Sequence, residues 1–336
     1  MPTRSKTGLG LLILLTIGAL LSSAEAQEKF TIRDSWTVTG LQAGWHWAID
    51  KGYFKQAGLD VHHEDGNGST TTVQLVNSGQ FDVGYADLSV MAIARSKGMP
   101  LVSIAGVIQK TSIGVFVSKG SNLKTPKDLE GKQILYTATS FEGPFIDSFL
   151  KAGGTTRDKV NMVSVDASAK ISNYVEGRGD GMITSIPLGI PFVEKARPSD
   201  YIRFGDFGLS LPSYGLVVRE DTLAKRREGL TKLTNVLLRS WQEIIDKGEA
   251  GVKEAADIMM KRRADAKPVR EQLEISVREH IKYLKTENTA SKPLGYQSLE
   301  DWKNTVKLLE DAKLIPTGSK PESYFNNSLI AGAGSQ

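Results

Sequence analysis

Small polar, glycine and aromatic residues recur at the ends of short apolar runs, where they could contact a small molecule. Hydroxyl, amide and carboxylate groups exchange hydrogen bonds, turn N–H groups hold oxygen atoms, and aromatic rings stack on planar groups. In the first part of the chain the candidate ligand-binding residues are Trp36, Thr39, Gln42, Gly68, Ser69, Thr70, Tyr85 and Asp87. In the second part they are Thr139, Ser140, Phe141, Glu142, Ser185, Pro187 and Tyr214.

Several candidates also have a purely structural interpretation. The turn at residues 66–70 could simply begin a helix, and Asp87 could either cap the next helix or accept an N–H group of a ligand. Both interpretations stay open for Asp87. Trp45 and Trp47 lie within the first helix, and we expect at least one of them to pack in the core.

Composition argues against several other functions. The chain has no cysteine, which excludes disulfides, thiolate metal sites and a cysteine nucleophile. Its histidines lack metal-ligand spacing, because the adjacent His62 and His63 point to opposite faces of a strand. The formal charge of +4 is spread along the chain rather than concentrated in a basic stripe. We therefore predict no catalytic residue, no metal, no cofactor and no nucleic-acid partner.

Charge on the candidate loops narrows the ligand further. None of the main candidate loops carries an arginine or a lysine. A phosphate or other dianion held by a guanidinium clamp is therefore disfavoured, and neutral, zwitterionic or monoanionic ligands are preferred.

Strands and helices alternate through the first two thirds of the chain. This order predicts an open, largely parallel α/β sheet, repeated in a second lobe. The run at 78–84 is echoed at 176–182, where each helix stop leads into a strand. Residues 216–219 look like the strand that returns to lobe one, and the last third is mainly amphipathic helix that would cover lobe one.

The start of the chain has the features of a secretory signal. Residues 1–26 combine Arg4 and Lys6, an apolar run at 9–21 that is shorter than the roughly 20 residues of a membrane span, and the small-residue ending at Ala26. We expect a cleaved signal peptide at 1–26 and a monomeric protein in the periplasm. The glycine-rich residues 331–336 are predicted to be a flexible tail.

Four runs carry a family resemblance. They are residues 51–61 (KGYFKQAGLDV), 78–84 (SGQFDVG), 123–132 (LKTPKDLEGK) and 177–181 (GRGDG). Together they resemble the nitrate, sulfonate, taurine and thiamine-pyrimidine-precursor binding proteins of ABC importers. Trp36 matches a tryptophan that follows an aspartate in the pyrimidine-binding members, although Ser35 separates it from Asp34 here.

The resemblance implies the type II fold of periplasmic binding proteins. Two α/β lobes would be joined by a hinge of two crossings and would close on a small organic solute, namely a sulfonate, a pyrimidine-like compound or an aromatic or other organic acid. Lobe one would comprise residues 27–117 and 212–330, and lobe two residues 118–211. A membrane permease of an ABC importer would be the transient partner.

Two other functions are compatible with the same family. Fungal relatives of the pyrimidine-binding members make the thiamine pyrimidine, but they carry a cysteine-rich motif for iron and this chain has no cysteine. A ligand sensor that docks a membrane receptor would share the fold, and the sequence does not separate it from a transport protein.

Substitution of Trp36 tests whether the first loop contacts the ligand. We expect Trp36→Ala to raise the Kd for the bound solute more than tenfold, because ring stacking contributes about 1–2 kcal/mol. Calorimetric titration of parent and variant measures the difference. An unchanged Kd would make Trp36 a packing residue.

Overall fold

A computed structural model describes Met1 and residues 27–332, except residues 139, 141, 167 and 168. Apart from Met1, the expected signal segment at 1–26 lies outside the described residues. So do residues 333–336 of the expected tail. Within the described residues, no helix is both long enough and apolar enough to cross a membrane.

In the described part of the chain, ten strands form the framework of the fold. Several are buried along their entire length, so their apolar, β-branched residues are packed on both faces of a sheet. The strands are β1 Glu28–Asp34, β2 Leu59–Glu64, β3 Val83–Asp87, β4 Leu101–Gly106, β5 Ile113–Ser118, β6 Gln133–Tyr136, β7 Asn161–Ser164, β8 Gly181–Ser185, β9 Ser199–Arg203 and β10 Tyr214–Arg219.

Among the residues that the structure describes, twelve α-helices connect and cover these strands. They are α1 Ala43–Asp50, α2 Tyr53–Gln56, α3 Ser69–Asn77, α4 Leu88–Ser96, α5 Ile146–Ala152, α6 Lys170–Val175, α7 Ile186–Ala196, α8 Glu220–Lys225, α9 Arg227–Asp246, α10 Glu249–Arg262, α11 Arg270–Ile281 and α12 Leu299–Asp311. The polar face of α9 is exposed, whereas Leu230, Leu237 and Trp241 enter the core beside the first sheet.

The two sheets share one topology. The first has the order β2-β1-β3-β10-β4, and the second has the order β7-β6-β8-β5-β9. In each sheet four strands run in the same direction, and a strand that arrives from the other lobe is inserted antiparallel to its neighbours: β10 in the first sheet and β5 in the second. This pairing forms two similar α/β lobes.

The strand pairing places the first crossing between the lobes closer to the N-terminus than the sequence pattern predicts. The sequence pattern predicts that lobe one runs to residue 117, whereas β5 pairs with β8 and β9 in the second sheet. The crossing therefore occupies residues 107–112. An apolar run has the same local pattern in either sheet, so only its long-range partners decide its lobe.

The two crossings hydrogen-bond to each other. The N–H groups of Val107 and Ile108 donate to the carbonyl of Tyr214, both at 2.8 Å, and the N–H of Ser213 donates to the carbonyl of Ile108 at 2.9 Å. Thr111 Oγ1 donates to the carbonyl of Leu209 at 2.9 Å. A paired double crossing of this kind suits a hinge, because two adjacent connections can bend together.

Glycine is required at position 66 because the loop after β2 passes very close to the loop after β1 there. The N–H of Gly66 donates to the carbonyl of Trp36 at 3.1 Å, which ties the loop after β2 to the loop after β1. A Cβ at this position would lie 1.8 Å from the carbonyl oxygen of Asp34. Only glycine lets these two loops meet.

Gly66→Ala should therefore lower the free energy of unfolding by about 2 kcal/mol or more, since the clash is with backbone. Gly205→Ala is the matched control, because no heavy atom lies within 4 Å of its added Cβ. Urea unfolding measures both. Equal stability of the two variants would contradict the close approach.

Candidate functional site

The carboxylate of Asp34 organises the end of β1. Asp34 is fully buried, and its Oδ1 accepts the N–H groups of Ser35 at 2.7 Å and Trp36 at 3.2 Å. The same oxygen accepts from Gln42 Nε2 at 3.1 Å, while Oδ2 lies 3.2 Å from His63 Nε2. The half-buried Trp36 is thus held at the edge of the sheet.

Thr39 and Gln42 bond to each other rather than facing outward. Gln42 Oε1 accepts from Thr39 N at 2.8 Å and from Thr39 Oγ1 at 3.1 Å, and Thr39 Oγ1 accepts the N–H of Leu41. This reciprocal arrangement is a capping box. We infer that both residues shape the Trp36 loop, and any contact with a ligand at these positions stays a prediction.

The loop after β2 positions Asp87. Gly68, with φ of 134°, donates its N–H to the carbonyl of Ser35 at 2.7 Å. Ser69 is buried, and its Oγ accepts the N–H of Asp87 at 3.1 Å. Thr70, the next residue, is exposed.

Asp87 ends β3 and caps α4. Its Oδ1 accepts the N–H groups of Ser89 at 3.0 Å and Val90 at 3.2 Å, together with the hydroxyl of Ser89. The cap uses only Oδ1 of the Asp87 carboxylate. The second oxygen, Oδ2, is therefore left to accept a hydrogen bond from a ligand, so capping and binding are compatible.

Two tyrosines lie beside Asp87. Tyr214 on β10 is directly opposite Asp87 in the antiparallel pairing, and its ring centroid lies 6.1 Å from that of Tyr85. The hydroxyl of Tyr85 is buried and has no hydrogen-bond partner among the described residues. Burial raises the pKa of both phenols, and the Asp34 and Asp87 carboxylates reinforce this shift, so both remain neutral.

In lobe two, Glu142 and Lys170 form a buried ion pair. Lys170 Nζ lies 2.5 Å from Glu142 Oε1, and the two residues are 5% and 1% exposed. Ser140, in the same loop, donates its hydroxyl to the carbonyl of Thr137 at 2.7 Å. Thr139 and Phe141 lie outside the described residues.

Ser185 and Pro187 occupy the position in lobe two that corresponds to Asp87 and α4. Ser185 precedes α7, and its Oγ lies 3.1 Å from the hydroxyl of Ser112 in the first crossing. The carbonyl of Pro187 accepts from Ser276 Oγ at 3.3 Å, and the N–H of Gly40 donates to the same Oγ at 3.0 Å. Helix α11 thus contacts both lobes.

These elements meet at a narrow interlobe cavity of about 10 Å³, the space of one water molecule. It is lined by Asp87, Ser89, Thr111, Ser112, Ile113, Phe145, Leu211, Pro212 and Ser213. The Glu142 carboxylate of lobe two makes a small contribution to the raised pKa of Asp87.

Several residues of the site have no counterpart in the sequence-based prediction. They include Lys170, Ser89, Phe145 and Ser213. Strand β7 occupies the place in the second sheet that β2 occupies in the first. Lys170, at the start of the helix after β7, therefore corresponds to Ser69, at the start of the helix after β2, and the internal repeat could have identified it. Among the described residues no group of three or more histidines or carboxylates is arranged to hold a metal ion.

Comparison with known proteins identifies the family. A family model described as NMT1/THI5 like matches residues 42–250. The chain belongs to this family.

Relatives within and near this NMT1/THI5-like family differ in their named activities. The formylaminopyrimidine-binding protein of Halalkalibacterium halodurans is 25% identical over 296 residues, which cover 86% of this chain and 87% of that protein. The 4-amino-5-hydroxymethyl-2-methylpyrimidine phosphate synthase of Aspergillus parasiticus is 29% identical over 137 residues, or 40% of each chain. The similarity to the synthase thus covers less than half of either protein.

Solved structures show the same fold. The alkanesulfonate-binding protein SsuA of Xanthomonas axonopodis, bound to MOPS, has a TM-score of 0.67 at 13% identity and covers 89% of this chain and 98% of its own. The periplasmic nitrate-binding protein NrtA of Synechocystis has a TM-score of 0.70 at 14% identity, with coverage of 92% and 88%. The NMT1/THI5-like chain therefore has the periplasmic binding protein fold predicted from its sequence.

Asp87 lines the interlobe cavity of this family member, and no lysine or arginine is among the described residues that line it. Asp34 and Glu142 are also buried, and Glu142 is paired with Lys170. An anion beside the Asp87 carboxylate would meet unfavourable charge, whereas an N–H donor would find an acceptor.

Asp87 should make stability depend on pH. Its pKa is raised from 3.8 to about 7, chiefly by burial and less by Glu142, although hydrogen bonds from Ser89 and Val90 lower it. The folded protein thus binds this proton more tightly than the unfolded chain. The resulting stabilisation is complete below the ordinary pKa and is lost as pH rises to about 7.

The neutral variant Asp87→Asn, which keeps an oxygen for the cap, should therefore gain stability relative to the parent as pH rises. We expect a relative gain of about 4 kcal/mol between pH 4 and pH 8 in urea unfolding. Asp60→Asn, at an exposed carboxylate on β2, is the control. A constant difference between Asp87→Asn and the parent at both pH values would contradict the raised pKa.

Proposed function

We propose that this protein is the periplasmic solute-binding component of an ABC-type importer. It captures a small planar organic solute with N–H donors between the lobes and docks as a monomer on a membrane permease. The observation that carries the proposal is the narrow interlobe cavity, which Asp87 of lobe one and Phe145 of lobe two line beside the paired crossings. The proposal includes export through the segment at 1–26.

Hinge closure supplies the binding mechanism. When the lobes separate at the crossings, Asp87 Oδ2, the Tyr85 hydroxyl and the half-buried Trp36 become accessible from one side, and Glu142 from the other. Closing on the solute replaces the hydration of these groups with ligand hydrogen bonds. Tyr85 and Tyr214, which hold neutral hydroxyls, contribute donors or acceptors without adding charge.

The proposed class of ligand follows from the carboxylate acceptors and the aromatic ring of Trp36. A planar heterocycle with exocyclic amino groups could stack on Trp36 and donate to the carboxylates. The H. halodurans relative, named for binding a formylaminopyrimidine, supports this choice over the sulfonate and nitrate ligands named for the structural neighbours. An amino-pyrimidine is therefore the preferred solute class.

A ligand panel tests this function. Aminopyrimidines should raise the Tm of the purified protein by several degrees at saturating concentration, and alkanesulfonates and nitrate should not, because only a bound solute stabilises the folded state. Asp87→Asn should weaken aminopyrimidine binding at least tenfold, because its amide nitrogen replaces the acceptor Oδ2 with a donor. Asp60→Asn should bind like the parent.

The recovered solute distinguishes binding from catalysis. After incubation, mass spectrometry should return the aminopyrimidine unchanged. Chemical conversion of the compound would favour a synthase-like enzyme. A Tm increase caused by sulfonates alone would refute the proposal that the protein binds an aminopyrimidine through its carboxylates.

A further inference from the structure

We propose that lobe one carries a second ligand site, for a small oxyanion, in a lateral recess between α1, the end of β2 and the C-terminal end of α10. The recess has a volume of about 350 Å³ and is lined by His46, His63, Glu64, Asp65, Arg262 and Arg263. None of these residues lines the interlobe cavity. The recess is therefore separate from the proposed solute site.

The acidic residues of the recess are already paired. Arg263 holds the Asp65 carboxylate with two hydrogen bonds, at 2.6 and 2.8 Å, and also contacts Asp265 at 3.2 Å. Glu64 contacts Arg33 at 3.3 Å and His62 at 2.9 Å. These carboxylates and Arg263 largely neutralise one another, so they leave little charge to bind a further ion.

Arg262 is the cation that remains. It has no ion pair with a carboxylate among the described residues. The side chain is exposed, but its partial burial lowers the pKa of the guanidinium; the Asp50 carboxylate raises that pKa and the adjacent Arg263 lowers it. A positive charge held at some electrostatic cost beside another cation is stabilised when an anion binds.

His46 orients Arg262. The Arg262 Nε–H group lies 3.4 Å from His46 Nδ1, and because Nε can only donate, Nδ1 must be the acceptor. The two terminal NH₂ groups of the guanidinium are then left for a ligand. Two such groups in one plane match the paired oxygens of a carboxylate, sulfate or phosphate.

The same tautomer provides an unused donor. Burial lowers the pKa of His46 to about 2, so the ring is neutral and its proton is on Nε2. Nε2 is buried and has no hydrogen-bond partner among the described residues. The ring is 2% exposed and packs edge-on to His63, with 5.7 Å between the centroids. His46 therefore fixes Arg262 without contributing a competing charge.

Calorimetric titration with sodium sulfate and with sodium acetate, each against sodium chloride at equal ionic strength, tests the site. The parent should bind at least one oxyanion saturably, and the stronger of the two identifies the ligand class. Arg262→Gln should weaken this binding at least tenfold. Lys261→Gln, which removes the same charge at the exposed neighbouring position, should stay within twofold of the parent.

A second variant tests the orienting role. His46→Phe keeps the charge of Arg262 but removes the Nδ1 acceptor of its Nε–H group, so we expect several-fold weaker oxyanion binding. A Tm close to that of the parent would show that the variant folds. The proposal is overturned if neither oxyanion binds saturably, or if Lys261→Gln and Arg262→Gln lose affinity equally. Aminopyrimidine binding by Arg262→Gln should match the parent, so this site and the interlobe site succeed or fail independently.

Discussion

The buried carboxylate of Asp34 is the contact on which the loops at the carboxyl ends of β1 and β2 depend. It joins the backbone of Ser35 and Trp36, the side chain of Gln42 and the ring of His63, which come from a loop, a helix start and a neighbouring strand. A buried carboxylate is tolerated only when such donors surround it. The same requirement that stabilises the charge therefore positions Trp36.

The hinge follows from a repeated backbone arrangement in the two lobes. The N–H of Leu88, at the start of α4, donates to the carbonyl of Ser213, and the N–H of Ile186, at the start of α7, donates to the carbonyl of Ser112, both at 2.7 Å. Each crossing thus ends against the first turn of a helix in the lobe it enters. Helix N-termini carry free N–H groups, so these contacts satisfy buried backbone while leaving the crossings free to bend together.

Local pattern was sufficient to predict the alternation of strands and helices, the two lobes and the covering C-terminal helices. It was insufficient where partners are distant in sequence. The lobe to which β5 belongs depends on β8 and β9, and the burial of Lys170 depends on Glu142. Neither relation leaves a local signal. The capping box of Thr39 and Gln42 does leave one, because a threonine three residues before a glutamine is its signature.

The fold alone does not select the ligand. Proteins named for alkanesulfonate and for nitrate share this architecture at 13% and 14% identity, so the chemistry must come from side chains at the strand ends. Here those ends carry Asp34 and Asp87, and lobe two adds Glu142, whose charge is matched by Lys170. Both oxygens of Asp34 have partners in lobe one, whereas the cap formed by Asp87 uses only Oδ1. Burial raises the pKa of Asp87 to about 7, so under the proposed function a solute that donates a hydrogen bond would offset the cost of keeping this carboxylate ionised. An anionic solute would increase that cost, so the same burial would disfavour anionic ligands.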